Sequence, residues 1–209
     1  MDALRSLGLL DNTIVLFTTD HGCHFRTRNR EYKRSCHESS VRIPMAWSGP
    51  GFDGGGRRRE LISLIDAPPT LLDACGIPIP DDMQGRSIMP LTRGSVSDWR
   101  EEAYIEMYES YVSRCVRTKR WKYSVRKTEP GPEAGTSWVF VEDCLYDLLA
   151  DPYELNNLAG FASHREVADV MKARHVRRMQ QAGEPAPQIR NADEQPGGQK
   201  TVSTAEAHS

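Results

Sequence analysis

The order of apolar and polar positions divides the chain into three textures. In residues 2–10, Leu4, Leu7 and Leu10 recur at helical spacing and predict the end of an amphipathic helix, broken at Asp11-Asn12. Residues 13–18, Thr-Ile-Val-Leu-Phe-Thr, form an unbroken β-branched and apolar run. A strand apolar on both faces predicts a buried, parallel position. It ends on Thr19-Asp20-His21-Gly22, so polar, ligating side chains stand where a parallel strand of an α/β sheet places its chemistry. Residues 23–42 are charged and poor in aliphatics, the texture of a functional or mobile loop. A short strand is expected over residues 43–47 and another over 61–65. Asp66-Ala67-Pro68-Pro69 predicts a helix start, with Asp66 as cap and prolines in the first turn. That helix runs to about Cys75 and stops at Gly76, with Pro78 and Pro80 beyond it.

After Gly94 the texture changes. Residues 103–108, 112–117 and 121–125 predict short antiparallel strands, and 145–148 a further strand before the turn at Asp151-Pro152. Val167, Val170, Met171 and Val176 predict a helix over 164–181. From Gly183 the chain is rich in Pro, Gly, Gln and Glu, with Ile189 and Val202 its large aliphatics, and disorder is expected. The expected organisation is an α/β part over 1–95, a small α+β subdomain over 96–182 and a disordered tail over 183–209.

Charge narrows the function. The 27 Lys and Arg against 29 Asp and Glu among 209 residues leave no broad basic field for nucleic acid and no acidic tail. No apolar run reaches the length of a membrane span, and the first residues lack the basic and apolar regions of a signal peptide. The five cysteines, with no Cys-x-x-Cys pair, argue against a disulfide framework or zinc ribbon and for free thiols, some buried.

Chemistry concentrates between residues 20 and 38. Asp20 and His21, side by side at a strand end, can share one divalent cation, and Gly22 lets the backbone turn close to it. The same pair also suits a helix cap or a hydrogen-bonded turn. Arg26, Arg28, Arg30 and Arg34 make the loop basic, as a solvated face or as a recognition surface for an anionic substrate.

Taken in order, DNTIVLFTTDHG, YKRSCHESSVRIP, SGPG, LIDAPPTLLDACGIPIP and MQGRSIMPL resemble the sulfatase family of the alkaline-phosphatase-like superfamily. RCVRTKRWKYSV and LYDLLADPYELNNLA resemble that family's C-terminal subdomain, and the likeness spans roughly residues 2–160. It implies an α/β fold: part of an alkaline-phosphatase-like sheet sandwiched by helices, then a small α+β subdomain with a short antiparallel sheet. By residue, it implies that Asp20 and His21 ligate a divalent metal, most often Ca2+, and that Lys33 binds the sulfate oxygens. Lys33 stands five residues before Glu38, the family's Lys-to-Glu spacing. An ammonium there would serve oxygens that gain charge as the ester breaks. His24 or His37 could protonate a leaving alcohol; His37 stands where the family more often has Tyr. Arg26 and Arg28 would contact the anionic substrate, a sulfated small molecule or glycan. Glu38, Arg42 and Arg86 read as structural, Asp151 and Asn156-Asn157 as turn chemistry, and Trp121 and Tyr123 as core.

One part of the pattern is missing. The family's formylglycine nucleophile arises from the Cys of a Cys-x-Pro/Ala-x-Arg segment, and none of Cys23, Cys36, Cys75, Cys115 or Cys144 begins one. The paired aspartates of the family's other metal ligands are absent too; Asp81-Asp82 lies after the metal strand. The expectation is therefore a sulfatase fragment whose partner is a missing N-terminal half, with an incomplete cation site, Met1 being internal or the start of a truncated gene. Two ligands hold calcium poorly, since it takes six or more oxygens. The family is usually exported, but the compartment stays open. Two other readings stand beside this one: a phosphonate monoester or phosphodiester hydrolase of the same superfamily, and a non-catalytic remnant binding anionic glycans.

Overall fold

A computed structural model describes residues 1–52, 54–94, 96–108, 112–127, 138–196 and 203–208. In chain order the elements are α1 (Asp2–Ser6), β1 (Val15–Thr18), α2 (Glu38–Val41), β2 (Met45–Ser48), α3 (Ala67–Ala74), α4 (Met89–Thr92), β3 (Glu102–Met107), β4 (Ser113–Thr118), β5 (Trp121–Arg126), β6 (Val139–Asp147), α5 (Arg165–Gln181), β7 (Gln188–Arg190) and α6 (Thr204–Ala207). The fold is α/β with a small antiparallel sheet. The chain forms two compact units: residues 1–22 with 42–100, and residues 23–41 with 101–209. The basic loop thus belongs with the second unit rather than with the strand it follows.

In the first unit β1 pairs with β2, and the pairing is antiparallel, Val15 opposite Ser48 and Thr18 opposite Met45. The parallel arrangement expected for residues 13–18 is therefore corrected. An apolar run reports a preference for burial and is silent on strand direction. The strand is only half-buried, and Phe17 is 66% exposed. Residues 61–65 also depart from the expected strand, because 64–66 form a 3-10 turn. The cause is the buried Asp66 carboxylate, which accepts the Ser63 N–H at 2.8 Å and the Arg86 N–H at 2.8 Å. Arg100 grips the same carboxylate at 2.9 and 2.6 Å. Asp66 thus stands at the N-cap of α3 as expected, but its carboxylate serves this turn and makes no cap hydrogen bond to α3, whose first turn carries the prolines. Gly85 passes so close that a Cβ there would meet the Ile65 carbonyl oxygen at 1.8 Å. The core is small: Ile88, Leu91 and Trp99, flanked by Trp47, Phe52, Ile62 and Val96.

The second unit is built on the sheet β3-β4-β5-β6-β7, antiparallel until β7 joins β6 in parallel. Alternation gives it two distinct faces. One buries Val116, Trp121, Tyr123, Val125, Phe140 and Leu145 under Val167, Ala168, Met171 and Met179 of α5. The opposite face carries Cys115, Cys144 and Tyr146, with Cys36 packed on them. Arg174, Arg177 and Arg178 of α5 converge on the buried Glu102 carboxylate at 2.7 to 2.9 Å. The expected strands and long helix are present, and β6 extends well upstream of residue 145.

The tail departs from the expected disorder where it is described. Residues 188–190 add β7 to the sheet, Phe161 bridges to Gln195, and Ala207 is buried against the α5 face. Trp121 Nε1–H donates to the Glu206 carbonyl at 3.0 Å. Main-chain pairing, which composition does not reveal, supplies the order that side-chain burial alone could not.

Candidate functional site

Asp20 and His21 follow the last residues of β1 in the first unit. The exposed Asp20 carboxylate accepts the His21 N–H at 3.0 Å, and its second oxygen lies 3.4 Å from His21 Nε2. His21 Nδ1 is 2.8 Å from the Gly22 carbonyl oxygen, which orients the ring. Slight burial works against the Asp20 charge, but the His21 N–H and the nearby imidazole hold its carboxyl below the ordinary value. Among the described residues no group of three or more His, Cys, Asp or Glu side chains forms a metal cage. One carboxylate and one imidazole therefore fit a divalent cation as part of a shell and not as the whole of it.

Lys33, His24, His37, Arg26 and Arg28 all lie on the loop of the second unit. His24 and Thr27 close a tight turn, Thr27 N–H to the His24 carbonyl at 2.9 Å, with Phe25 and Arg26 at φ 52° and 62°. Two successive left-handed, non-glycine residues store strain of roughly 1–3 kcal/mol each. The turn presents Phe25 and Arg26 to solvent while His24 is buried. Neither His24 ring nitrogen finds a hydrogen-bond partner among the described residues, and burial lowers its pKa. Arg28 is differently employed: its guanidinium donates to the Glu154 carbonyl at 2.7 Å and to that of Tyr153. Lys33 is half-buried, its ammonium 5.7 Å from the Tyr32 ring centroid. His37 is buried, with Nε2 3.1 Å from the Tyr146 hydroxyl; burial lowers its pKa and leaves Nδ1 without a partner among the described residues.

What holds this loop lies on the far side of the chain. Lys122, fully buried on β5, places its ammonium 2.7 Å from Glu38 Oε1 and 2.6 Å from Glu154 Oε1. Glu154 Oε2 accepts the Glu38 N–H at 2.7 Å, and Arg117 reaches both Glu38 oxygens. Burial opposes each of these charges. The cation partners still hold Glu38 below its ordinary value, and Cys115 together with the two carboxylates holds Lys122 above its own, while Glu154 is pushed up by burial. Glu38 is structural, as expected. Lys122 and Glu154 are positioning residues that sequence reasoning missed. The available signal was a lysine between two core aromatics, Trp121 and Tyr123, which alternation assigns to the opposite, loop-covered face. The 151–157 turn is held as expected: Asn156 N–H donates to Asp151 Oδ2 at 2.8 Å, and Asn157 Oδ1 accepts the Leu145 and Ala159 N–H groups at 2.9 and 3.0 Å.

Residues 30–181 match the family model described as N-sulphoglucosamine sulphohydrolase, C-terminal. The chain is 35% identical to arylsulfatase K of Canis lupus familiaris over 169 residues, 75% of this chain and 30% of that protein. It therefore spans about a third of the length of the curated relatives it matches. Among solved structures it resembles BT4656, solved in complex with its substrate D-glucosamine-2-N,6-O-disulfate, with a TM-score of 0.71 and 26% identity over 89% of this chain and 38% of that one. A phosphonate monoester hydrolase of Silicibacter pomeroyi shares the fold, with a TM-score of 0.71 at 22% identity over 86% of this chain and 37% of that one. The family match runs from residue 30 of the loop through β3 to β6 and α5. The chain belongs to the sulfatases, as a C-terminal portion of the N-sulphoglucosamine sulphohydrolase type.

Proposed function

We propose that this chain is the part of a sulfuric ester hydrolase that supplies a sulfate-binding lysine and two donors to a divalent cation. The observation that carries the reading is the anchored loop. Glu38, Lys122, Glu154 and Arg117 bind the segment that bears Lys33 to the rigid sheet, so the half-buried ammonium of Lys33 is held on a fixed support. In this reading Lys33 donates to the non-bridging oxygens of a sulfate ester as they gain charge. Arg26, exposed on its strained turn, contacts the anionic remainder of the substrate. His24 and His37, both kept neutral by burial near neutral pH, are the candidate proton carriers of the loop.

Asp20 and His21 would hold a divalent cation, calcium being the family's usual choice, with the remaining donors coming from residues outside this sequence. Such a cation would act as a Lewis acid on the ester oxygens. The nucleophile is likewise supplied from elsewhere, since no cysteine here lies in a Cys-x-Pro/Ala-x-Arg segment. The relatives' names point to sulfated aryl or amino-sugar esters as the substrate class.

A fusion tests the reading directly. The chain would replace the corresponding C-terminal portion of dog arylsulfatase K, and release of an aryl alcohol from an aryl sulfate would be measured. We expect the fusion to be active with divalent cation and the 209-residue chain alone to be inactive. Lys33→Ala in the fusion should lower kcat/KM by roughly 10²–10³. Equal activity of the Lys33→Ala fusion would sink the role given to Lys33. Faster turnover of an aryl phosphonate than of the sulfate would favour the phosphonate hydrolase reading that the shared fold keeps in view.

A further inference from the structure

Three thiols meet on the loop-covered face of the second unit. Register places Cys115 of β4 opposite Ser124 of β5, and Ser124 opposite Cys144 of β6, so the three side chains form one row across three strands. Cys36 of the loop lies over the middle of that row, its Sγ 3.5 Å from Ser124 Oγ. There it packs with Cys115 and Cys144 in one buried cluster. Paired strands are spaced by about 4.8 Å, so the backbones of Cys115 and Cys144 stand roughly 9–10 Å apart across β5. That exceeds the ~7 Å beyond which two cysteines cannot be bridged. Cys36 is therefore the one thiol of the three able to pair with either neighbour. These cysteines do not form a metal cage.

Access separates the two partners. A polar cleft of about 430 Å³ opens onto Cys36, Cys144, His37, Arg126 and Asp143. Cys115 does not line it and is wholly buried, whereas Cys144 is 7% exposed. The environment also favours a thiolate at Cys36. Hydrogen bonds from Cys115 and Cys144, with the Lys122 ammonium nearby, hold it well below the ordinary thiol value, and the neighbours are pushed up correspondingly.

We propose that Cys36 and Cys144 are an oxidisable pair: a hydroperoxide entering the cleft converts them to a disulfide that staples the basic loop to β6. The Cys36 thiolate attacks one peroxide oxygen and the O–O bond breaks. The departing oxygen takes up a proton and leaves as water or alcohol, and Cys36 becomes a sulfenic acid. The Cys144 sulfur then attacks the Cys36 sulfur. The S–O bond breaks, the Cys144 proton leaves with the hydroxide as water, and the S–S bond forms. The two sulfurs together lose the two electrons that the peroxide gains. The bridge closes a loop of roughly 100 residues, a length at which a cross-link restricts the unfolded chain strongly. It acts on the segment that carries Lys33 and Arg26 whatever reaction that segment serves.

The test is a peptide map of the full chain after hydrogen peroxide, with free thiols alkylated and proteolysis done without reductant. We expect a Cys36–Cys144 linked peptide lighter by two hydrogens, and Cys115 alkylated only after denaturation. The oxidised chain should melt higher by about 5–10 °C. In the Cys144→Ser variant a sulfenic-acid trap such as dimedone should label Cys36. Should that variant not fold, the wild-type map and melting shift still decide. The proposal is overturned if Cys36 stays reduced while the exposed Cys75 oxidises, or if the bridge found joins Cys36 to Cys115.

Discussion

At the scale of single residues, the most telling group outside the loop is His175. It is completely buried on α5 between the rings of Tyr104 and Tyr123, with centroids 6.0 and 5.7 Å away, and neither ring nitrogen has a partner among the described residues. Burial, with a smaller push from the Arg114 cation, lowers its pKa from 6.5 to about 3. The folded value lies below the unfolded one, so below pH 6.5 the unfolded chain binds the proton that the folded chain refuses. Stability is then lost as pH falls from 6.5 towards 3 and levels off below that. At pH 5 the loss from this one residue is about 2 kcal/mol. His175→Phe, which keeps a ring between the two tyrosines, should reduce the fall in unfolding free energy between pH 7.5 and 5 by that amount. Urea titrations of both proteins at both pH values measure it, and equal falls would show that His175 is not the titrating group. Nothing in the sequence singled out His175: it lies one position before Val176 in a helical pattern whose apolar residues alone were read.

At the scale of elements, the attachment of the loop to the sheet rests on a buried lysine with two carboxylates. Lys122→Met keeps the volume and removes the charge, leaving Glu38 and Glu154 facing each other without the ammonium between them. An uncompensated buried charge costs about 3–5 kcal/mol. The variant should lose that much stability in denaturant unfolding, and adding Glu154→Gln should restore a good part of it. A loss under about 1 kcal/mol for Lys122→Met would mean that the triad is not an anchor. The same elements show what the sequence could and could not disclose. α5 and β3 to β5 were legible because period and β-branched content state them locally. The direction of β1 was not, since orientation depends on a partner thirty residues away. The 3-10 turn at Leu64–Asp66 was hidden because Arg100, far along the chain, decides where the Asp66 carboxylate points. β7 was hidden for a related reason: three residues of main-chain pairing to β6 carry no pattern of their own. Of the candidate site, Asp20, His21 and Lys33 were picked out from motif order. The support beneath Lys33 was not, because Lys122 and Glu154 lie 89 and 121 residues beyond it.

At the scale of the whole molecule, the two units differ in what holds them together. The second has two buried clusters, one of them running from Val116 to Ala207 and covered by α5, and a five-stranded sheet. The first has three buried hydrophobic residues in its cluster and a two-stranded sheet, while Leu7, Leu9, Phe17, Ile65 and Ile77 remain at least half exposed. A pair of strands alone is marginal in water, and a thin core adds little to it. Local opening should therefore begin in the first unit. Native-state hydrogen exchange read by mass spectrometry checks this: amides of β1 and β2 should exchange at least about tenfold faster than those of β4 and β5. The exposed apolar side chains should also make the 209-residue chain self-associate as concentration rises, which light scattering would register. In the fusion with the N-terminal portion of arylsulfatase K, the same β1 and β2 amides should become protected, because added sheet and helix surface would cover those side chains. If β1 and β2 exchange as slowly as β4 and β5 in the chain alone, the first unit is self-sufficient. The apolar surface would then need another explanation than a place in a larger sulfatase sheet.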